Sequence, residues 1–467
     1  MTIYHYIGYL LFAAVLVGTI IVVIVENRNP IKTIAWLLVL TLLPVIGLIF
    51  FYFLGQDTRR MKKLSVKYYK KIKDLSFRDL VPDMAPELDP DNINLIRLLQ
   101  RSNYSPLLQG TKIEIMPSGE KMFNALLKDM DEAKHHIHME FFIFYNDDTG
   151  QRVKEMLIKK AREGIEVRFI YDNVVNWFIP KKFYKEMSDN GVQVTSFMKV
   201  KLASLKSRIN YRNHRKQVII DGHIGYTGGM NVADNYAKDV WRDTHLRMEG
   251  QGALGLQASF LIDWYSSGEA RIDPTRYFPE QPIYNTTLLQ VVNDGPDKPY
   301  NTIQQSINHV ITTADRYVYI QTPYFLPPDS MFQALQSAAL SGVDVRLMVS
   351  KRTDSPYVDP AAKSYYEDLL KAGMHIYEHQ EKFVHAKTIV SDDMVSVLGS
   401  ANMDFRSLET NFELNTYIYD SGIALRNREI FFEDLKYCKE ISYKEWVKRP
   451  HYKHFIESIM RIFAPLM

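Results

Sequence analysis

The chain begins with two long apolar stretches that are separated by a short polar segment. Residues 1–25 contain no Asp, Glu, Lys or Arg, and residues 33–56 are uncharged again. A helix needs about 20 apolar residues to cross the hydrocarbon core of a bilayer, and each stretch supplies that length. We therefore expect two transmembrane helices within residues 1–56, the second one bent at Pro44 and Gly47. A cleaved signal peptide fits poorly, because a basic start and a small-residue cleavage site are missing and a second apolar stretch follows at once.

A basic segment follows the second apolar stretch. Eight of the 15 residues from Arg59 to Lys73 are Lys or Arg, whereas the segment between the two stretches holds only Arg28 and Lys32. Basic residues gather at the cytoplasmic ends of membrane helices, so we expect both ends of a helical hairpin, and all later residues, on the cytoplasmic side. Residues 57–105 are then a basic juxtamembrane segment and a linker. The basic run could contact anionic lipid or be a solvated helix face.

From residue 106 the pattern changes to buried strands that alternate with helices, and this pattern occurs twice. The strand "HHIHMEFFIF" (135–144) returns as "RYVYIQTPYF" (316–325). The helix end, glycine and strand of "AREGIEVRFIYD" (161–172) return as "ALSGVDVRLMVS" (339–350). The repetition predicts an α/β fold with two pseudo-symmetric lobes, each a mixed sheet flanked by helices.

The limits of the two lobes follow from composition. The segment around residues 270–290 is rich in proline and charge, so we place the first lobe at 106–280 and the second at 281–440. Residues 441–467 form a tail whose apolar side chains recur at helical spacing on one face. Such a tail could pack on the body or lie in a lipid interface.

One sequence motif occurs twice, and its two copies are 171 residues apart. It reads "NHRKQVIIDGHIGYTGGMN" at 213–231 and "VHAKTIVSDDMVSVLGSAN" at 384–402. Each copy has His, one residue, Lys, four residues and Asp, then a pair of small residues, and an Asn 17 places after its His. The candidate residues are His214, Lys216, Asp221 and Asn231 in the first copy and His385, Lys387, Asp392 and Asn402 in the second.

The spacing of His and Lys suits work on an anionic phosphodiester. Residues two apart on a strand point the same way, so each copy presents an imidazole beside an ammonium group. Two facing copies allow one imidazole to attack phosphorus and the other to protonate the leaving alcohol, while lysines and amides hold the phosphate oxygens. A single His-x-Lys is common on edge strands by chance. Two copies with the same ending are hard to explain that way.

Two acidic residues are candidates for orienting the histidines. Asp243 lies 29 residues after His214, and Glu413 lies 28 residues after His385. A catalytic imidazole needs a partner that fixes its tautomer, and we expect each carboxylate to serve the histidine of the other lobe. Either one could instead be an ordinary surface carboxylate.

Composition excludes some functional classes. The net charge is +3 at pH 7, which is low for a general nucleic-acid binder of 467 residues. Cys438 is the single cysteine, so the chain has no internal disulfide and no thiolate metal site.

The paired motifs closely resemble those of the phospholipase D superfamily over residues 110–420. The N-terminal segment "ENRNPIKTIAWLLVLTLLPVIGLIFFYFLG" and the "NYRNHRK" before the first motif look like bacterial cardiolipin synthases. The resemblance implies a ping-pong phosphatidyl transfer without metal or other cofactor, through a phosphatidyl-histidine formed at His214, with His385 as acid and then base. Asp221 and Asp392 belong to the signature and are grouped with the catalytic residues, although in the family they support the fold.

The resemblance further implies that two phosphatidylglycerols are joined to give cardiolipin and glycerol at the bacterial plasma membrane. The expected partners are phosphatidylglycerol, other anionic phospholipids and the bilayer, and no nucleic acid. A phospholipase D that uses water, or a transferase that uses another alcohol, remains open because the shape of the acceptor pocket decides between them. A nuclease of the same superfamily is a remote alternative, since those relatives often carry one motif per chain. The oligomeric state does not follow from the sequence.

Overall fold

The computed structural model describes residues 3–25, 30–54, 90–197, 211–270 and 272–466. The chain forms two compact units, the N-terminal helices and a larger body that begins, within the described residues, at residue 90. The basic run 59–73 lies outside the described residues.

The described residues of the N-terminal unit form three helices, α1 (Ile3–Val25), α2 (Pro30–Leu42) and α3 (Pro44–Leu54). Residues Tyr4–Val25 of α1 are long and apolar enough to cross a membrane, with a mean hydropathy of 2.8 over an 18-residue window; among the described helices α1 alone meets both criteria. The second apolar stretch is divided at Leu43, because proline lacks an N–H and disfavours helical geometry in the residue before it. The expected bend at Pro44 is therefore a break between two helices.

The body is built from two mixed sheets with helices packed on them. In chain order its strands are β1 (Leu108–Gln109), β2 (Lys112–Met116), β3 (His136–Phe141), β4 (Glu166–Asp172), β5 (Gln193–Phe197), β6 (Lys216–Ile220), β7 (Ile224–Gly228), β8 (Trp241–Arg242), β9 (His245–Glu249), β10 (Leu288–Asp294), β11 (Tyr317–Gln321), β12 (Phe325–Leu326), β13 (Asp344–Ser350), β14 (His375–His379), β15 (Phe383–Val384), β16 (Thr388–Ser391), β17 (Val395–Gly399), β18 (Met403–Asp404), β19 (Glu413–Tyr419) and β20 (Cys438–Glu440).

The helices of the body connect and cover these strands. They are α4 (Pro90–Asn103), α5 (Gly119–Asp131), α6 (Asp148–Arg162), α7 (Lys181–Asp189), α8 (Asp234–Ala237), α9 (Gln251–Ser266), α10 (Thr302–Thr312), α11 (Asp329–Leu340), α12 (Val358–Lys363), α13 (Tyr366–Lys371), α14 (Phe405–Glu409), α15 (Ser421–Leu435), α16 (Tyr443–Trp446) and α17 (His451–Phe463).

The two sheets share one strand order, which confirms the prediction of two pseudo-symmetric α/β lobes. The first sheet runs β2-β9-β7-β6-β3-β4-β5, and the corresponding part of the second runs β10-β19-β17-β16-β11-β13-β14. In both, three strands are parallel (β3, β4 and β5; β11, β13 and β14) and the remaining pairs are antiparallel. The second sheet is extended by β1 at one edge and β20 at the other.

The second lobe also gathers residues from both ends of the body. In α4, which lies in the expected linker 57–105, Leu95 and Leu99 are buried in the same core as Val292 of β10. Trp446 and Ala464 of the tail belong to this core as well. The lobe limits 106–280 and 281–440 stay predictions, but α4 packs as part of the second lobe rather than as a linker.

The tail therefore packs on the body with one side of its last helix. The Arg461 guanidinium of the tail lies 4.2 Å from the centre of the Tyr365 ring of the body, while Arg449 donates to Glu457 at 2.7 Å within the tail itself. On the other side of α17 the apolar side chains of Phe455 and Ile462 are exposed. One side of α17 thus packs on the body, and its other side has the exposed apolar residues that contact with a lipid interface would need.

The motif aspartates occupy equivalent turns in the two lobes. Asp221 and Asp392 follow β6 and β16 with φ of 54° and 53°, a left-handed conformation that aspartate tolerates better than most residues. The Asp221 carboxylate accepts hydrogen bonds of 2.8–2.9 Å from the backbone N–H groups of residues 134–136. The Asp392 carboxylate does the same, at 2.7–2.9 Å, for residues 315–317. Each aspartate therefore connects the turn of its hairpin, β6–β7 or β16–β17, to the start of the neighbouring strand, β3 or β11.

We expect Asp221→Ala to lower the free energy of unfolding by about 3 kcal/mol, because three N–H groups lose a charged acceptor. Chemical or thermal unfolding of the detergent-solubilised protein measures this change. Asp189→Ala is the matched control: its carboxylate is exposed and its ion pair with Lys185 contributes about 0.5 kcal/mol or less. A loss of stability no larger than that of the control would contradict the role of Asp221.

Candidate active site

The two His-Lys pairs lie at equivalent ends of the two sheets. Lys216 is the first residue of β6, and Lys387 immediately precedes β16. The histidines lie two residues earlier, and all four side chains are buried. Lys387, Lys216 and His214 are all close enough to His385 for their charges to lower its pKa, so the four side chains form one cluster at the junction of the lobes.

The lobes are joined beside this cluster by two short parallel backbone pairings. Asn213 pairs with Phe412, and the N–H of His214 donates to the carbonyl oxygen of Phe412 at 2.9 Å. Correspondingly, β15 pairs with β8, and the N–H of His385 donates to the carbonyl oxygen of Arg242 at 2.7 Å. Parallel pairing keeps two chains in step, so the next residues on each side also become neighbours.

The neighbours produced in this way are a histidine and a carboxylate from opposite lobes. His214 Nδ1 lies 2.9 Å from Glu413 Oε1 and 3.0 Å from Oε2. His385 Nδ1 lies 2.6 Å from Asp243 Oδ2. Both carboxylates are buried, at 0% and 1% exposure, so neither is an ordinary surface residue. The structure brings together the two cross-lobe pairs that the sequence predicts.

The small residues of the motif lie against these carboxylates. A β-carbon on Gly229 would lie 2.1 Å from Asp243 Oδ1, so only glycine leaves room for that side chain. The equivalent residue of the second lobe is Ser400, whose hydroxyl donates to Glu413 Oε2 at 2.5 Å. The small pair thus fixes the carboxylates that contact the histidines.

We call each His-Lys pair, together with the carboxylate that contacts its histidine, a half-site. In the His214 half-site the imidazole is neutral and the carboxylate of Glu413 is ionised. Burial lowers the pKa of His214 to about 4, although the charge of Glu413 acts in the opposite direction. Burial by itself would raise the pKa of Glu413, but His214, Lys216 and Ser400 hold it below its usual range. When Nδ1 donates to Glu413, the Nε2 of the neutral ring carries a lone pair, which is the form that a nucleophile needs.

The His385 half-site has an additional proton carrier. Lys216 Nζ and Lys387 Nζ each donate to the carbonyl oxygen of the histidine two residues earlier, but Lys387 Nζ also lies 2.8 Å from His385 Nδ1. Burial raises the pKa of Asp243 to about 6 and lowers that of Lys387 to about 8. Two groups with pKa values near neutral, Asp243 and Lys387, therefore flank His385, whose own pKa is lowered well below its usual range by burial and by the nearby lysines. This arrangement suits an acid and base better than a nucleophile.

The asparagines of the motif are buried beside the cluster. The amide of Asn231 donates to the Tyr236 hydroxyl at 2.8 Å, and its oxygen accepts from the N–H of Ile143 at 3.2 Å. Asn402 Oδ1 is buried and has no hydrogen-bond partner within the described part of the chain. The two amides are thus not equivalent.

Asp221 and Asp392 are not part of the cluster. Each lies at the far end of the strand that begins beside its lysine, and the five residues of β6 span roughly 16 Å. Their carboxylates are occupied by backbone N–H groups, as described above. The structure gives both aspartates contacts that support the fold, and their grouping with the catalytic residues stays a prediction.

Two buried arginines, which the sequence analysis did not predict, bind the backbone of the two carboxylate residues. The Arg215 Nε donates to the carbonyl oxygen of Glu413 at 3.1 Å, and its guanidinium pairs with Asp263 of α9. The Arg242 guanidinium donates to the carbonyl oxygen of Asp243 at 2.6 Å and pairs with Asp434 of α15. Strand alternation could have indicated Arg215, since the residue between His and Lys must face the opposite side.

Comparisons with known proteins agree with this geometry. The family model described as "Cardiolipin synthase, PLD-like domain" matches residues 126–245 and 307–435, which cover both motifs. A model described as "Phospholipase_D-nuclease N-terminal" matches residues 14–56. The chain is 36% identical to the cardiolipin synthase of Alkalihalophilus pseudofirmus over 460 residues, which cover 96% of this chain and 91% of that protein. It is also 36% identical to the major cardiolipin synthase of Bacillus subtilis, with 96% of both chains covered.

The chain belongs to the cardiolipin synthase family. The predicted membership of the phospholipase D superfamily is thereby confirmed, and so is the mixed α/β fold. Among solved structures, the phosphatidylserine synthase of Haemophilus influenzae has a TM-score of 0.61 at 14% identity and covers 80% of this chain and 98% of its own. At 14% identity this similarity shows that the two proteins share a fold, and it shows nothing more.

Glu413→Gln should lower the rate of phosphatidyl transfer by about 10³-fold or more, because an amide no longer holds the His214 ring in the tautomer with a free Nε2. Glu413→Asp should recover part of the rate, since the other half-site works with an aspartate. Initial rates in mixed detergent-lipid micelles measure both effects. The control is Glu445→Gln, an exposed glutamate of α16. Equal rates for the glutamine and aspartate variants would contradict an orienting carboxylate.

Proposed function

We propose that this protein is a cardiolipin synthase that joins two phosphatidylglycerols and releases glycerol. The observation that carries the proposal is the pair of cross-lobe histidine–carboxylate contacts, in which His214 meets Glu413 and His385 meets both Asp243 and Lys387. Similarity to cardiolipin synthases over nearly the full chain supports the choice of substrate.

In the first half-reaction His214 is the nucleophile. Its Nε2 attacks the phosphorus of one phosphatidylglycerol, a nitrogen–phosphorus bond forms, and the bond from phosphorus to the glycerol oxygen breaks. His385 donates a proton to that oxygen, so free glycerol leaves and a phosphatidyl-histidine remains. Glu413 stabilises the charge that the His214 ring acquires when its second nitrogen is bonded.

In the second half-reaction the acceptor is the free glycerol hydroxyl of another phosphatidylglycerol. His385, now neutral, removes the proton of that hydroxyl while its oxygen attacks phosphorus. The nitrogen–phosphorus bond breaks and cardiolipin leaves. The enzyme returns to its starting protonation, so one cardiolipin and one glycerol form from two phosphatidylglycerols.

The remaining motif residues are assigned to the phosphate. Lys216 and Lys387 neutralise the oxygens of the phosphodiester, which carry more charge in the transition state than in the substrate. The side chains of Asn402 and Asn231, both buried, complete the group that contacts the phosphate, with their amide N–H groups as the donors. Asp243 and Glu413 are positioning residues that act through the two histidines.

Vesicles with phosphatidylglycerol as the only lipid test the reaction. We expect the purified protein to release cardiolipin and glycerol in equal amounts, and His214→Ala to form neither, because the attacking nitrogen is lost. Mass spectrometry of acid-quenched, protease-digested enzyme should locate the phosphoryl adduct on the peptide that contains His214. Phosphatidic acid as the main product would identify water as the acceptor, and an adduct on His385 would reverse the two roles.

We further propose that the protein is a multi-pass protein of the bacterial plasma membrane whose body lies in the cytoplasm. Support comes from α1, from the second apolar stretch despite its break at Leu43, and from the basic residues that follow it. Phosphatidylglycerol is then reached from the cytoplasmic leaflet. The domain limits given above belong to the same proposal.

Cysteine labelling tests the orientation, because Cys438 is the single cysteine of the chain. Lys436→Cys in a Cys438→Ser background places one exposed thiol on the second lobe. We expect a membrane-impermeant maleimide to label this thiol in inside-out vesicles and not in intact cells. Labelling of intact cells would place the body outside the cytoplasm, and the Cys438→Ser protein without the new cysteine controls for background.

A further inference from the structure

The pseudo-symmetry of the lobes is broken by two loops that hold equivalent positions. One loop, "NVVNWFIP" (173–180), follows β4, and the other, "KRTDSPY" (351–357), follows β13. Both strands lie second among the three parallel strands of their sheets, so both loops leave the same edge. The loop of the first lobe is mainly apolar and the loop of the second is mainly polar.

The fourth residue of each loop makes a different contact. In the first lobe it is Asn176, whose amide donates to the carbonyl oxygen of Phe142 at 2.7 Å and whose oxygen accepts from the N–H of Phe144 at 3.1 Å. In the second lobe it is Asp354, whose carboxylate accepts a hydrogen bond of 2.6 Å from the Tyr324 hydroxyl. The first lobe has Ile143 where the second has Tyr324. Where the first lobe has an amide that binds the backbone, the equivalent position of the second lobe therefore has a carboxylate that is hydrogen-bonded to a phenol.

The Tyr324–Asp354 pair lies on the His385 side of the site. The ring of Phe383 is 6.2 Å from that of Tyr324 and 5.9 Å from that of His385. Asp354 is exposed and is one of the carboxylates whose charge acts on Lys387. The pair therefore borders the half-site that handles protons, at an edge that a substrate can reach.

Aromatic rings surround His385 to a greater extent than His214. Tyr236 and Trp241 lie 5.3 and 5.5 Å from the His385 ring, in addition to Phe383. Glycerol is small, its C–H groups pack well on aromatic faces, and its hydroxyls are donors that need acceptors. A carboxylate and a phenol beside an aromatic wall supply both requirements.

We propose that Tyr324 and Asp354 bind the glycerol headgroup of phosphatidylglycerol through the hydroxyls that do not react. The proposal rests on the proposed function and specifies which lobe holds the glycerol. Glycerol leaves from this place in the first half-reaction, and the acceptor glycerol of the second phosphatidylglycerol occupies it in the next, with His385 beside the reacting oxygen in both. No further bond changes are needed beyond those described above.

This assignment also gives the substrate a direction. With the headgroup at the second lobe, the diacylglycerol part extends towards the first lobe. There the apolar loop exposes Trp177 by 60% and Phe178 by 93%, which suits contact with lipid rather than with water. The difference between the two loops thus matches the difference between the two ends of the substrate.

The experiment measures transfer of the phosphatidyl group from phosphatidylglycerol vesicles to isotopically labelled glycerol in competition with 1-propanol. Both alcohols present a primary hydroxyl, but propanol lacks the hydroxyls that the pair would bind. We expect the wild-type protein to prefer glycerol, and Asp354→Asn and Tyr324→Phe each to lower the ratio of the two products about tenfold or more, as the loss of a hydrogen bond to a bound hydroxyl predicts.

Tyr357→Phe is the matched control, because Tyr357 is in the same loop, is 66% exposed and should leave the ratio unchanged. A ratio that stays at the wild-type value in both variants, or an equal fall of both products, would overturn the headgroup site while the proposed function stands. A wild-type protein that transfers to neither alcohol and forms no cardiolipin would overturn the proposed function and this inference with it. Because the readout is a ratio within one sample, partial loss of folded protein does not affect it.

Discussion

The site depends on two places where the backbones of the lobes pair with each other. At Asn213–Phe412 and at β8–β15 a few main-chain hydrogen bonds set the register between chain segments about 140–200 residues apart. Each pairing ends where a histidine of one lobe meets a carboxylate of the other. Side-chain flexibility contributes little to this meeting, because the positions of His214 and Glu413, and of His385 and Asp243, follow from the backbone.

Burial is the main electrostatic influence on the cluster. It acts on every ionisable group there, and it lowers the pKa of both histidines and both lysines. Removing one partner of such a set leaves an uncompensated buried charge, so the supporting contacts matter as much as the reacting groups. Arg215 and Arg242 provide this support from behind, and each also connects the lobes. Arg215 reaches the carbonyl oxygen of Asp294 at 2.8 Å, and Arg242 reaches Asp434.

The parts of the structure that the sequence predicts are those that repeat. Two similar successions of strands and helices indicate two similar sheets, and the double motif indicates His214 and His385. Comparing the two halves of the sequence does not reveal the arginines, because they are not at equivalent positions: Arg215 follows a histidine, whereas Arg242 precedes a carboxylate. Helix α4 escapes it too, since the apolar spacing of "NINLIRLLQ" predicts a helix without indicating which surface it covers. Asn231 could be chosen from the motif, but its contact with Tyr236 requires the fold.

The covalent connection between the lobes has a consequence for the evolution of the site. If two identical single-lobe subunits formed such a site by pairing, symmetry would force both half-sites to carry the same residues. A substitution that improved the nucleophile would then alter the acid in the same way. Within one chain the halves can vary independently, and they have done so: Ser400 stands opposite Gly229, Ala386 opposite Arg215, and Tyr324 opposite Ile143. Fusion of the lobes therefore permits specialisation that a symmetric dimer could not reach.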